Sequence, residues 1–203
     1  MYETTNQIIN IEWDLFDKVQ NIGGRAGCQD DREPFFLMRS SQLDAWTEEM
    51  RRSWLDDLCL ARAEGRNPLA EKYGYMMERT DSVGYASIAN SLPSRTEEKM
   101  ALVTEICAAH LSWILSLRQE YPLLTGRGRA VNCDADSLYS TSFTTYLAGE
   151  LSTYSEQTLS LYLAYVRQLQ KQGKNLNKLI LNNTITQYGY ASLDAAEAAL
   201  AVH

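Results

Sequence analysis

Residues 94–122 read SRTEEKMALVTEICAAHLSWILSLRQEYP, and this stretch decides the fold class. Met100, Val103, Cys107, His110, Ile114, Leu117 and Tyr121 recur at alternating spacings of three and four, the repeat of one face of an α-helix. Ser94 followed by Glu97 has the form of a capping box, in which each side chain answers an amide left open at the helix start. Pro122 closes the run. The spacing predicts a helix over 95–120.

Helical spacing continues on both sides. Ile8, Ile11, Leu15 and Val19 predict a helix over 4–20, released at Asn21-Ile22-Gly23-Gly24. Pro34 suits the first turn of a stretch running to about Arg62, with Ser40-Ser41 marking a kink or break. Pro68 restarts the chain in PLAEKYGYMMERT, where Gly74 weakens the helix by roughly 1 kcal/mol relative to alanine. Its presence there suggests a close neighbour. A loop follows Pro122 to about 137, and one long helical region is expected over 142–171. Shorter helices fit 176–187 and 193–202, the second capped by Ser192. Thr184-Ile185-Thr186 is the nearest approach to a strand pattern and is too short to carry a sheet. The expectation is an all-α, single-domain bundle over 1–203, with about six to eight helices and two functional-looking polar loops.

The 203 residues are 45% apolar and 22% charged, an ordinary globular composition. A net charge of −7 argues against nucleic acid, whose partners carry a basic face. The sequence reads as lacking an apolar run of the roughly 18 residues that spans a bilayer. MYETTNQIINIEWD has no basic stretch followed by an apolar core. These readings lead to the expectation of a soluble, cytoplasmic protein without a nucleic-acid or membrane partner. Cys28, Cys59, Cys107 and Cys133 are scattered and only two histidines accompany them, so zinc or iron–sulfur spacing is absent. No phosphate-binding loop, dinucleotide fingerprint or nucleophile elbow is present.

Four segments carry polar chemistry. In the 21–33 loop, Arg25 beside glycine can clamp a carboxylate or phosphate, with Gln29 as a further binding group. Cys28 is a candidate nucleophile, and Asp30 and Asp31 are candidate bases; equally, the two acids suit the start of the Pro34 helix. In EKYGYMMERT, Tyr75, Glu78 and Arg79 leave the Tyr73–Met77 face and can point into a cleft or into solvent. In GRGR, Arg127 and Arg129 offer an anion-binding turn or a solvated loop. In GELSTYSEQTLSLY, Glu150, Thr153 and Gln157 share a stripe beside Tyr154, which marks either a buried hydrogen-bond network or a site lining. His110 sits in the apolar repeat and reads as a satisfied core histidine.

Taken together, Trp13 through VQNIGGRAGCQDD, EKYGYMMERT, GRGR and YLAGELSTYSEQTLSLY resemble the bacterial and archaeal family called domain of unknown function 4125. The resemblance runs from about residue 8 to residue 197. It implies a stand-alone domain and supplies no catalytic residue.

Two functions follow as expectations. The first is a small-molecule enzyme acting by acid–base chemistry, without a redox cofactor, on an anionic metabolite bearing carboxylate or phosphate, such as an amino acid. Arg25 and Arg127 or Arg129 would hold the anion; Asp30, Asp31, Glu78 or Glu150 would exchange protons; Tyr75 or Tyr154 would donate hydrogen bonds. No metal ligand set is expected, carboxylate-bound Mg²⁺ being the alternative. The second is a non-catalytic helical binding or interaction module, as a homodimer, anchored by Trp13, Trp46, Trp54 and Trp113 and the tyrosines.

Overall fold

A computed structural model describes residues 3–20 and 24–201. Asn21, Ile22 and Gly23 of the first polar loop and the terminal His203 lie outside the described residues. Eleven α-helices make up the described chain: α1 Glu3–Phe16, α2 Arg32–Leu43, α3 Glu48–Ala63, α4 Pro68–Thr80, α5 Ser82–Ile88, α6 Glu97–Glu120, α7 Pro122–Gly126, α8 Phe143–Leu151, α9 Glu156–Lys171, α10 Leu176–Gln187 and α11 Leu193–Leu200. There is no strand among the described residues, only an isolated bridge between Ser137 and Ser140. The all-α class is as expected.

The helix count exceeds the expected six to eight because capping residues interrupt apolar runs. The 34–62 stretch breaks at Asp44–Thr47, not at Ser40-Ser41, and the Thr47 hydroxyl accepts the Met50 amide to start α3. The 142–171 stretch breaks at Ser152–Ser155, where Ser155 accepts the Thr158 amide and starts α9. Asp81 does the same for α5, a helix that apolar spacing does not reveal. Each cap answers one of the amides that a helix start leaves open. At α6 the cap is Thr96, accepting from Lys99, and not the expected Ser94. Pro122 ends α6 and opens α7, where its lack of an amide costs nothing. The Ser192 cap of α11 is as expected, and α10 takes the expected span. Thr184-Ile185-Thr186 lies inside it.

The main core joins Ile8 and Ile9 of α1, Leu43 of α2, Met50, Trp54 and Leu58 of α3, Val103 and Ile106 of α6, Leu151 of α8, and Leu159, Tyr162 and Val166 of α9. His110 is buried within it. Its Nδ1 lies 2.6 Å from Asn177 Oδ1, and its Nε2 lies 3.0 Å from the Tyr162 hydroxyl. Burial lowers its pKa to about 4, so the ring is neutral. A smaller cluster of Leu117, Tyr121, Ile185, Leu193 and Ala196 anchors α11.

α6 overturns the expectation about apolar runs. An 18-residue window of it has a mean hydropathy of 1.6, enough by length and composition to cross a membrane, and only 33% of that window is buried. Charged residues at both ends of the helix hide this run from a reading of local composition.

Two glycines mark close approaches. A Cβ at Gly74 would lie 2.9 Å from Leu92 Cδ2, the close neighbour the sequence suggested. At Gly149, on α8, it would lie 2.7 Å from Met76 Cγ and 3.0 Å from the Lys72 carbonyl oxygen, both on α4. The second contact is with backbone and does not yield easily. Gly149→Val is therefore expected to cost about 1–3 kcal/mol by overpacking. Thermal and urea denaturation should show the loss; unchanged or increased stability would show that α4 and α8 can separate freely.

Candidate functional site

Several charged residues occupy inward helical positions where the apolar stripe would continue. Glu12 on α1 is 1% exposed, Lys72 on α4 is 5% exposed and Glu150 on α8 is 8% exposed. Arg39 of α2 reaches between them. Its Nε and Nη2 donate to the two oxygens of Glu12 at 2.7 and 2.6 Å, a bidentate pairing. Its Nη1 donates to Glu150 Oε1 at 3.0 Å and to Gln42 Oε1 at 2.7 Å. Lys72 Nζ donates to Glu150 Oε2 at 2.9 Å. The Tyr154 hydroxyl donates to Glu150 Oε1 at 2.9 Å, and the Trp54 indole to Glu12 Oε1 at 2.8 Å. Two carboxylates and two cations thus form one hydrogen-bonded unit spanning α1, α2, α4 and α8, with α3 supplying Trp54.

Burial alone would push the Glu150 carboxyl up, but Lys72 and Arg39 outweigh it and hold the group well below the usual carboxylate range. Burial likewise opposes charge on Lys72, and Glu150 outweighs it, so the ammonium titrates well above an ordinary lysine. Burial, reinforced by Glu150, pushes the Tyr154 hydroxyl far up. Stability from Glu150 is therefore full above the ordinary value of 4.5 and declines as pH falls towards its folded pKa; stability from Lys72 is full below 10.5 and declines only at more alkaline pH. Neither group changes charge near neutrality.

This unit floors a cavity of about 460 Å³. Phe16, Pro34, Phe35, Met38 and Leu69 supply apolar walls, with Phe16 and Phe35 stacked at 5.3 Å between centroids. Tyr73, Tyr146, Arg129, Cys28, Asp31 and Thr153 complete the lining. Lys72 Nζ lies 3.5 Å from the centroid of the Tyr146 ring and Arg129 Cζ lies 4.4 Å from it, so one ring gathers two cations at the cavity.

The first polar loop reaches the cavity because it is tied to the end of α1. Gly24 has a φ of +88°, which glycine adopts without strain. Gln29 Nε2 donates to the Phe16 and Val19 carbonyls at 2.9 Å each, and its Oε1 accepts the Ala26 amide. Arg25 bridges Asp17 at 2.6 Å and Asp30 at 2.7 Å on the surface. Gly27, Cys28 and Asp31 are left facing the cavity.

The structure therefore divides the residues singled out in the sequence. Cys28, Asp31, Arg129, Glu150 and Thr153 converge on one cavity, and Tyr154 lies behind its floor. Arg25, Gln29 and Asp30 do not line it; their partners are one another and α1, and they shape the loop. Glu78, Arg79 and Tyr75 line a different cavity of about 760 Å³ beside α6. There Glu78 pairs with Arg95 at 2.8 Å, and the Tyr75 hydroxyl donates to the Pro93 carbonyl at 2.8 Å. Arg127 is exposed at the end of α7, at neither cavity. Gln157, expected to extend the Glu150–Thr153 stripe, is exposed because the helix breaks between them. Among the described residues no three His, Cys, Asp or Glu side chains are grouped to hold a metal ion.

Glu12, Arg39, Lys72, Tyr73 and Tyr146 do not stand out in the sequence. A signal is present for three of them: Glu12 lies four residues after Ile8, Arg39 four before Leu43 and Lys72 four before Met76, each on an apolar face. A lone charge at such a position requires a partner from another helix.

Glu150→Gln leaves Lys72 and Arg39 short of a buried counter-charge and is expected to cost about 3–5 kcal/mol. Adding Lys72→Met should return part of that loss. Urea denaturation of the two single variants and the double variant measures the coupling; strictly additive losses would show that the pair does not act as a unit.

No curated protein and no solved structure matches the chain. A family profile described as "Protein of unknown function (DUF4125)" matches residues 2–198, including all four polar segments. The chain belongs to the DUF4125 family.

Proposed function

We propose that the protein recognises a small anionic metabolite, bearing carboxylate or phosphate, in the cavity above the Glu12–Arg39–Glu150–Lys72 unit. The observation that carries this reading is the pair of cations gathered at Tyr146. Lys72 has three N–H donors and meets Glu150 and Tyr146 with them. Arg129 is exposed, donates to the Thr141 carbonyl at 3.1 Å and has no ion pair among the described residues. Both present charge to a cavity with apolar walls, the usual composition of a small-molecule site. Of the carboxyl groups that line the cavity, Asp31 is the one outside the network. Glu150 and Tyr154 are committed to the network, with their titrations displaced from neutrality.

Cys28 reports occupancy, being exposed and at the cavity. In a Cys59→Ser background, millimolar 3-phenylpropionate or inorganic phosphate should slow alkylation of Cys28, followed by peptide mass spectrometry. Arg129→Ala should raise the concentration needed about ten-fold or more, with the helical circular-dichroism signal unchanged, since one charge-assisted hydrogen bond is worth about 1.5–3 kcal/mol. Absence of protection by either anion, or equal protection in Arg129→Ala, would overturn the proposal.

A second reading, a helical interaction module pairing with a second copy, draws on α6. Only 33% of its long apolar window is buried, and Leu115 on it is 47% exposed. Sedimentation should then report a dimer that Leu115→Glu converts to monomer. A monomer at all concentrations would dismiss this reading.

A further inference from the structure

We infer that the cavity is built for a zwitterion: an amino acid whose charged end lies between Arg129 and Asp31 and whose apolar side chain lies against Phe16 and Phe35. The inference deepens the anion-binding reading and rests on it, but it draws on the residues of the opposite sign. In the floor, Glu12 and Glu150 are matched by Arg39 and Lys72, so the unit carries no net charge. What remains at the cavity is one residue of each sign, Arg129 and Asp31, neither ion-paired among the described residues. A simple anion would answer Arg129 and leave Asp31 unanswered. An amine would do the reverse. A molecule with both charges answers both.

Asp31 is the more telling of the two. It occupies the N-cap position of α2, where an aspartate ordinarily accepts an amide from the first turn, yet its side chain makes no capping hydrogen bond. Its neighbour Asp30 is taken by Arg25. Asp31 is exposed and among the residues that line the cavity, and its carboxylate keeps an acceptor capacity suited to the three N–H donors of an ammonium group. The walls of Phe16, Phe35 and Met38 offer burial to an apolar side chain and no hydrogen bond to a polar one.

Three ligands with one common body separate the possibilities: L-phenylalanine, 3-phenylpropionate, which lacks the ammonium, and 2-phenylethylamine, which lacks the carboxylate. Protection of Cys28 from alkylation, confirmed by calorimetry, should favour phenylalanine by about ten-fold or more over either analogue. Asp31→Asn should remove the advantage over 3-phenylpropionate while leaving the binding of 3-phenylpropionate itself no weaker. Its thermal stability should change little, since asparagine also suits an N-cap. If 3-phenylpropionate binds as well as phenylalanine, or if Asp31→Asn keeps the preference, the zwitterion inference is overturned and anion binding stands. If 2-phenylethylamine binds best, or if neither the three ligands nor inorganic phosphate binds, both fall.

Discussion

Arg39 is the constraint on which the rest of the structure depends. It is a guanidinium, always charged, placed on a short helix and surrounded by α1 and α8. An ion taken out of water in this way is costly unless its hydrogen bonds are met with good geometry. The bidentate contact to Glu12 and the single contacts to Glu150 and Gln42 meet that demand. Each carboxylate then creates a demand of its own, answered by Trp54 for Glu12 and by Lys72 and Tyr154 for Glu150. The chain of requirements fixes the relative placement of α1, α2, α3, α4 and α8 in a way that apolar contacts, which are non-directional, do not. Gly149 belongs to the same chain: without a Cβ there, α8 comes close enough to α4 for Lys72 to meet Glu150.

Directional placement of this kind explains why the cavity lies where it does. A long charged side chain occupies space as a rod and leaves its flanks open, whereas branched apolar residues fill them. Arg39 and Lys72 reach inward to Glu150, and the volume above them is lined by side chains from α1, α2, α4, α8 and the two polar loops. The loops arrive by separate means. The first is tied by Gln29 to the carbonyls at the end of α1, and Arg129 of the second lies against Tyr146. The cavity is a consequence of the ion network together with these two ties.

Much of this is legible in the sequence, in proportion to how local its cause is. The α10 span and the Ser192 cap are set by residues within one turn, and both agree with expectation. Thr47 and Ser155 are equally local, but apolar residues on either side hide their capping role, and two continuous runs become four helices, while the short α5 behind the Asp81 cap has no apolar spacing to announce it. The convergence of Cys28, Asp31, Arg129, Glu150 and Thr153 is foreshadowed by three of the four polar segments, each without a local reason for being polar. Arg25 and Asp30 show the limit of that reasoning. They are as polar as Asp31 and one to six positions away, but Asp17 is in reach of Arg25 and the pair closes on itself. Nothing in local spacing reveals which of two adjacent aspartates finds a partner, because that depends on where α1 ends. Glu12, Arg39 and Lys72 escape notice for the complementary reason: each is a single departure from an apolar stripe, and only their mutual contact, across 27 and 111 positions of sequence for the Arg39 pairs, gives the departure a meaning.

The network also bears on what kind of function fits the cavity. Replacing buried ion pairs by apolar residues of similar volume is often neutral or stabilising, so stability alone does not call for four charges in a bundle core. Acid–base exchange does not call for them in this form either, because a catalytic proton carrier works best with a pKa near the operating pH, and mutual pairing drives Glu150 and Lys72 away from it. A floor of matched, immobile charges suits recognition instead. Its oriented donors and acceptors keep a constant protonation across physiological pH, and a polar molecule is either aligned against them or excluded. Selectivity then rests with the groups the network leaves unmatched. Those are Arg129 and Asp31, of opposite sign, at a cavity whose other walls are apolar.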